Sequence, residues 1–121
     1  MEMFGGSGKG GNGNNNNSRI PFEAHLARLA EPAKSVLLDL RNFVLALGEN
    51  VIEDVRPHRV VYSKTMNFRI FLDVEPAAAG NSLVLSIRSG RAAPPLSLTV
   101  QSPQDAEAAK QKIAEAYQKI Q

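Results

Sequence analysis

Four carboxylates come in two tight groups, Glu53-Asp54 and Asp73-Val74-Glu75. Paired carboxylates hold hard divalent cations, and with a nearby lysine they can build a metal-dependent nuclease site. Here no lysine lies at a suitable spacing beside either group, so that chemistry is not expected. Glu53-Asp54 reads instead as charge that solvates a strand edge. His25 and His58 are isolated, and no spacing links them as metal ligands. The absence of cysteine excludes thiolate sites, disulfides and cysteine catalysis. No serine or threonine sits in a nucleophile elbow beside a base. The fragment Gly6-Ser7-Gly8-Lys9-Gly10 looks like part of a phosphate-binding loop but fails its pattern. Met3 stands where the first glycine belongs, Gly10 follows the lysine where Ser or Thr is required, and no strand precedes it. The sequence therefore predicts no catalytic residue, no metal, no cofactor and no small-molecule substrate.

The second chemistry on offer is binding. The 121 residues carry a net charge of +2, but unevenly. Residues 20–54 hold three basic side chains against six acidic ones, whereas residues 55–101 hold six against two. Five of those six are arginines, the side chain suited to phosphate and to stacking on flat rings. Within this region "NFRIFLDV" (67–74) alternates as a strand does. One parity carries Phe68, Ile70, Leu72 and Val74, and the other carries Arg69, Phe71 and Asp73. A phenylalanine between two charges on the solvent parity raises the question of what it would stack on.

The elements that position these residues follow from periodicity. Pro21 to Leu29 is expected to form a short helix with Phe22, Leu26 and Leu29 on one side. Glu31-Pro32 opens a longer one, with proline at its first helical position. Val36, Leu37, Leu40, Phe43, Val44 and Leu47 recur at three- and four-residue spacing, and Gly48 is its expected stop. Strands are predicted at 51–56 (the extra one), 59–64, 68–74, 82–88 and 96–100, with turns at 65–67, 75–81 and 89–95. Ser102-Pro103 opens a last helix with a stripe of Ala106, Ala109, Ile113, Ala116, Tyr117 and Ile120. The order α-α-β-β-β-β-α, with or without the extra first strand, predicts an α+β fold. Two layers are expected, with the helices covering one face of an antiparallel sheet of four to five strands.

The other sheet face would then meet solvent. Parity places Arg69, Phe71 and Asp73, then Val84, Ser86 and Arg88, then Ser97 and Thr99 on it. Strand 59–64 adds either Arg59, Val61 and Ser63, or Val60 and Tyr62, since "VVY" is apolar on both parities. A flat face of arginines, hydroxyls and an aromatic ring suits single-stranded nucleic acid, whose bases stack and whose phosphates follow basic groups. Arg69, Phe71 and Arg88 would form the centre of the platform. Arg56, Arg59, Lys64 and Arg91 would guide the backbone, and Tyr62 would stack if its parity points outward.

Bulk properties set the frame. The length predicts one domain over residues 20–121. Residues 1–19, rich in glycine and asparagine, are expected to be a disordered tail. No apolar run is long enough to span a membrane, and the N-terminus lacks the pattern of a secretory signal, so a cytoplasmic site is expected.

Leu47-Gly48, Tyr62, Asn67-Phe68, Val74-Glu75-Pro76 and Ala116-Tyr117 together resemble the pattern of a small archaeal and bacterial helix–sheet–helix domain family. The helix–sheet–helix order over residues 22–120 is also similar to that of the ThermoDBP-type single-stranded DNA-binding proteins of thermophilic archaea and their shorter relatives. That resemblance implies single-strand binding, with DNA favoured over RNA, through a basic and partly apolar groove beside the sheet. The resulting expectation is a non-catalytic single-stranded nucleic-acid-binding protein, with a homo-oligomer as a further option. The alternative is a protein-interaction or self-association module that uses the same open face.

Overall fold

A computed structural model describes residues 20–64, 69–90 and 94–120. The Gly/Asn-rich segment 1–19 lies outside them. Three helices and five strands follow in the order α1 (Phe22–Ala27), α2 (Ala33–Leu45), β1 (Val51–Val55), β2 (Val60–Lys64), β3 (Arg69–Pro76), β4 (Leu83–Ile87), β5 (Leu96–Val100) and α3 (Pro103–Lys119). The strands form one sheet in the order β1-β2-β3-β4-β5, and every neighbouring pair is antiparallel. The α+β architecture read from the sequence is the observed one, and the strand at 51–55 is present.

The helix boundaries have local causes. Pro32 stands just before the first turn of α2 rather than inside it. The Glu31 carboxylate reaches forward to cap that turn, accepting from Ser35 N at 3.1 Å and Ser35 Oγ at 2.7 Å. α3 begins with a reciprocal cap. Asp105 N donates to Ser102 Oγ, and Ser102 N donates back to the Asp105 carboxylate. The turn between β3 and β4 needs Gly80, whose φ is +77° and whose carbonyl accepts from Ala30 N at 2.7 Å. A Cβ there would lie 2.6 Å from the Arg28 carbonyl oxygen, so backbone conformation and space both favour glycine.

The core lies between the helices and one sheet face. Val36, Leu37, Leu40 and Val44 from α2 and Ala106, Ala109, Ile113 and Ala116 from α3 meet Val60, Tyr62, Leu72, Val74, Leu83 and Leu85 from the sheet. β4 alternates as expected, with Leu83, Leu85 and Ile87 buried. On β5 the same alternation fades toward its start: Val100 is buried, Leu98 is half-buried and Leu96 is exposed.

One irregularity decides where the residues expected to bind point. Tyr62 pairs with Leu72, but its neighbour Ser63 pairs with Ile70. Phe71 is therefore an extra residue on β3, a β-bulge, and the alternation breaks there. Phe71, Leu72 and Val74 all belong to the core, so the parity that put Phe71 on the solvent face is overturned.

Candidate nucleic-acid or protein interface: the open sheet face

Cross-strand register defines the uncovered face. One row runs Asp54, Val61, Asp73, Ser86, Ser97, and a second runs Glu75, Val84, Thr99. Ile52, Ser63 and Ile70 form a third. Arg56, Arg59 and Arg88 continue the same parities at the strand ends. Each stands beside a carboxylate of that face: Arg56 Nε lies 2.9 Å from Asp54, Arg59 Nη2 3.5 Å from Glu75, and Arg88 Nη2 4.0 Å from Asp73. The guanidinium side chains stay roughly half exposed, at 48%, 44% and 45%. The face thus mixes three cations, three anions, hydroxyls and the aliphatic side chains of Ile52, Val61, Ile70 and Val84.

The aromatic part of the expected platform is not on this face. Phe71 is 0% exposed and meets the Tyr117 ring edge to face under α3. Tyr62 lies on the helix side as well, where its hydroxyl donates to Glu53 Oε2 at 2.8 Å. Glu53 also holds Arg41 through two bonds, from Nε at 2.8 Å and Nη2 at 2.9 Å, and the Arg41 guanidinium stacks 4.1 Å from the Phe22 ring centre. Burial, and then the hydrogen bond to Glu53, push the Tyr62 phenol well above its usual range. Glu53, read as strand-edge charge, is instead the centre of this helix-to-sheet clamp.

Two of the cations are also reassigned. Lys64 points to the helix layer: its Nζ donates to the Ile120 carbonyl at 3.0 Å and sits 4.2 Å over the Tyr117 ring. There its charge complements the carbonyl end of α3. Arg69 pairs with Lys64, which gives it helix-side parity at the start of β3. Arg91 lies outside the described residues. Of the eight residues expected to bind, the structure gathers Arg56, Arg59 and Arg88.

Strand parity already sets Asp73 on one face with Arg88, whereas it does not single out Asp54 and Glu75 as partners of Arg56 and Arg59. Asp54 and Arg56 do leave a local signal, being two residues apart and hence on one face of a strand. The pairing of Arg59 with Glu75 depends on register and has no local trace. Asp73 sits on the central strand, 8% exposed, and burial raises its carboxyl above the usual range while Arg59 and Arg88 pull it down.

The remaining chemistry is sparse. Among the described residues, no three His, Asp or Glu side chains gather as metal ligands, and no helix is long and apolar enough to cross a membrane. His25 is buried, with Nε2 2.6 Å from the Arg56 carbonyl, so it ties α1 to the β1–β2 turn. Arg28 does the same from the surface by donating to the Pro57 carbonyl at 2.8 Å. Comparison with protein-family models, with curated proteins and with solved structures finds no match to this chain. The class that fold and face define is a two-layer α+β domain with one open sheet face of mixed charge.

Proposed function

We propose that this chain is a non-catalytic protein-interaction module, in a cytoplasmic setting, that self-associates through its open sheet face. The observation that carries this reading is the pairing of every described arginine on the face with a carboxylate of the same face. A surface of interleaved opposite charges with aliphatic side chains between them is complementary to a copy of itself, as a two-fold interface requires. A track for a polyanion needs the opposite, an excess of one sign. The size of the face sets the expected strength. Five strands about 4.8 Å apart and about five residues long present roughly 400 Å² of flat area. That falls toward the small, transient end of protein interfaces, so a reversible dimer is expected rather than an obligate one.

Sedimentation velocity on the full chain across a wide concentration range tests the reading. A monomer–dimer equilibrium that Val84→Arg shifts to monomer, with an unchanged melting temperature, is the expected result. A native chain that stays monomeric up to about millimolar concentration, where even weak interfaces assemble, overturns it.

A second reading is favoured by one observation, the three half-exposed guanidiniums on a single face. It is single-stranded nucleic acid, DNA before RNA, as the resemblance of the helix–sheet–helix order to that of ThermoDBP-type proteins implies. Without an aromatic platform, the electrostatic part must dominate. Fluorescence anisotropy with a labelled single strand should then show a log–log salt slope of about −2, from three contacts at roughly −0.7 each. Arg56→Gln, Arg59→Gln and Arg88→Gln should each flatten it. Absence of binding at low salt removes this reading and leaves the first untouched.

A further inference from the structure

We infer that Asp73 and Arg88 are the pair that fixes the geometry of self-association, the carboxylate of each copy receiving the guanidinium of the other. The inference rests on the self-association reading above and names its specificity-determining contact. Asp73 occupies the central strand of the open face and is 8% exposed. No described residue donates a hydrogen bond to it. Its nearest cation, Arg88 Nη2, stands 4.0 Å away, beyond hydrogen-bond reach. The side chain keeps 11% exposure, so solvent still reaches its oxygens and a donor from a second copy would take the place of water there. The fold works against its charge, because burial outweighs the neighbouring arginines and holds the carboxyl above its usual range.

The matching donor is identified by elimination among the cations of the face. Arg56 makes a close 2.9 Å contact with Asp54, and Arg59 lies 3.5 Å from Glu75. Arg88 has the loosest partner of the three and keeps 45% of its side chain in solvent. Packed sheets lie about 10 Å apart, a gap that a long arginine and an aspartate can bridge between them. A two-fold axis makes the contact reciprocal, so one dimer contains it twice. Opposite charges placed off the axis also exclude the rotated arrangements in which like charges meet.

A charge-swap experiment separates this contact from the pairing within one chain. Asp73→Lys and Arg88→Asp are prepared separately, and their folding is checked by thermal melting. Each alone should sediment as a monomer at concentrations where the native chain dimerises, because each would place like charges opposite one another twice. An equimolar mixture should recover a dimer containing one copy of each, read by native mass spectrometry. In that mixture both contacts between copies are opposite-charged, although the internal pair of each chain is broken. A mixture that stays monomeric while the native chain dimerises overturns the pair and leaves self-association standing. A native chain that never dimerises overturns the reading beneath it as well. Should Asp73→Lys not fold, Asp73→Asn decides. A dimer dissociation constant raised about tenfold or more, with no loss of melting temperature, supports the contact. An unchanged constant overturns it.

Discussion

Phe71 meets Tyr117 edge to face, their ring centres 5.2 Å apart and their planes inclined at 72°. The contact joins the bulge of β3 to the last turns of α3, and Lys64 Nζ sits over the Tyr117 ring 4.2 Å from its centre. It converts a residue that sequence parity assigns to a ligand into one that holds the two layers together.

The first prediction follows from that contact. Phe71→Ala should destabilise the domain by about 3–5 kcal/mol, the usual range for emptying a buried phenylalanine site. Urea unfolding followed by circular dichroism measures it. If Phe71 served a ligand instead, the same substitution would leave the unfolding midpoint in place.

Gly48 gives the second. A Cβ on Gly48 would collide with the Tyr117 hydroxyl. Tyr117 cannot yield freely, since Phe71 and Lys64 hold its ring. Gly48→Ala should therefore lower stability by about 1–3 kcal/mol, as overpacking does. Pairing it with Tyr117→Phe, which removes the colliding hydroxyl, should recover part of the loss. Equal losses with and without the hydroxyl would locate the cause in the backbone of Gly48.

How far the sequence could be read is visible in β3 and β4. On β4, unbroken alternation gave the correct face to Leu83, Leu85, Ile87, Val84, Ser86 and Arg88. On β3 the same rule worked at Asp73 and failed at Phe71, because a bulge inserts one residue and leaves no mark in composition. On β2 the sequence left both parities open. The structure decides by the company Tyr62 keeps: Glu53 and Arg41 give its hydroxyl a partner on the helix side, a contact made across elements. Fold class depends on period and order, which are local. The face of a single residue depends on register, which is not.

The α3 cap yields a prediction in acid. The backbone amide of Gln101, and then that of Ser102, donate to Asp105 and hold its carboxyl below the ordinary range near 3.8. A depressed carboxyl contributes stability that is complete above its unfolded value and disappears as pH falls through the folded one. Stability should therefore decline below about pH 4, the usual aspartate range, more steeply in the native chain than in Asp105→Asn. At neutral pH, Ser102→Ala should cost about 1 kcal/mol through loss of the other half of the cap. Parallel acid titrations of Asp105→Asn and the native chain would remove the cap from the account.

Tyr62 makes the corresponding prediction in base. Burial first, and then its hydrogen bond to Glu53, raise the phenol far above its ordinary value of 10.0, while Arg41 opposes them weakly. In the unfolded chain the same phenol ionises near pH 10, as a free tyrosine does. A group whose folded value is raised lends stability that is complete below the unfolded value and is lost as pH climbs past it. Tyr62 should therefore lower stability by about 1.4 kcal/mol for each pH unit above about 10. Tyr62→Phe removes this dependence and, at neutral pH, costs about 1–3 kcal/mol for the bond to Glu53. Glu53 keeps both bonds from Arg41 in that variant, so the clamp between α2 and β1 remains closed. Denaturant unfolding of both chains from pH 8 to 11 measures the difference. Two curves that run parallel through pH 10 would show that Tyr62 ionises as freely in the folded chain as in the unfolded one, and would place its hydroxyl in solvent.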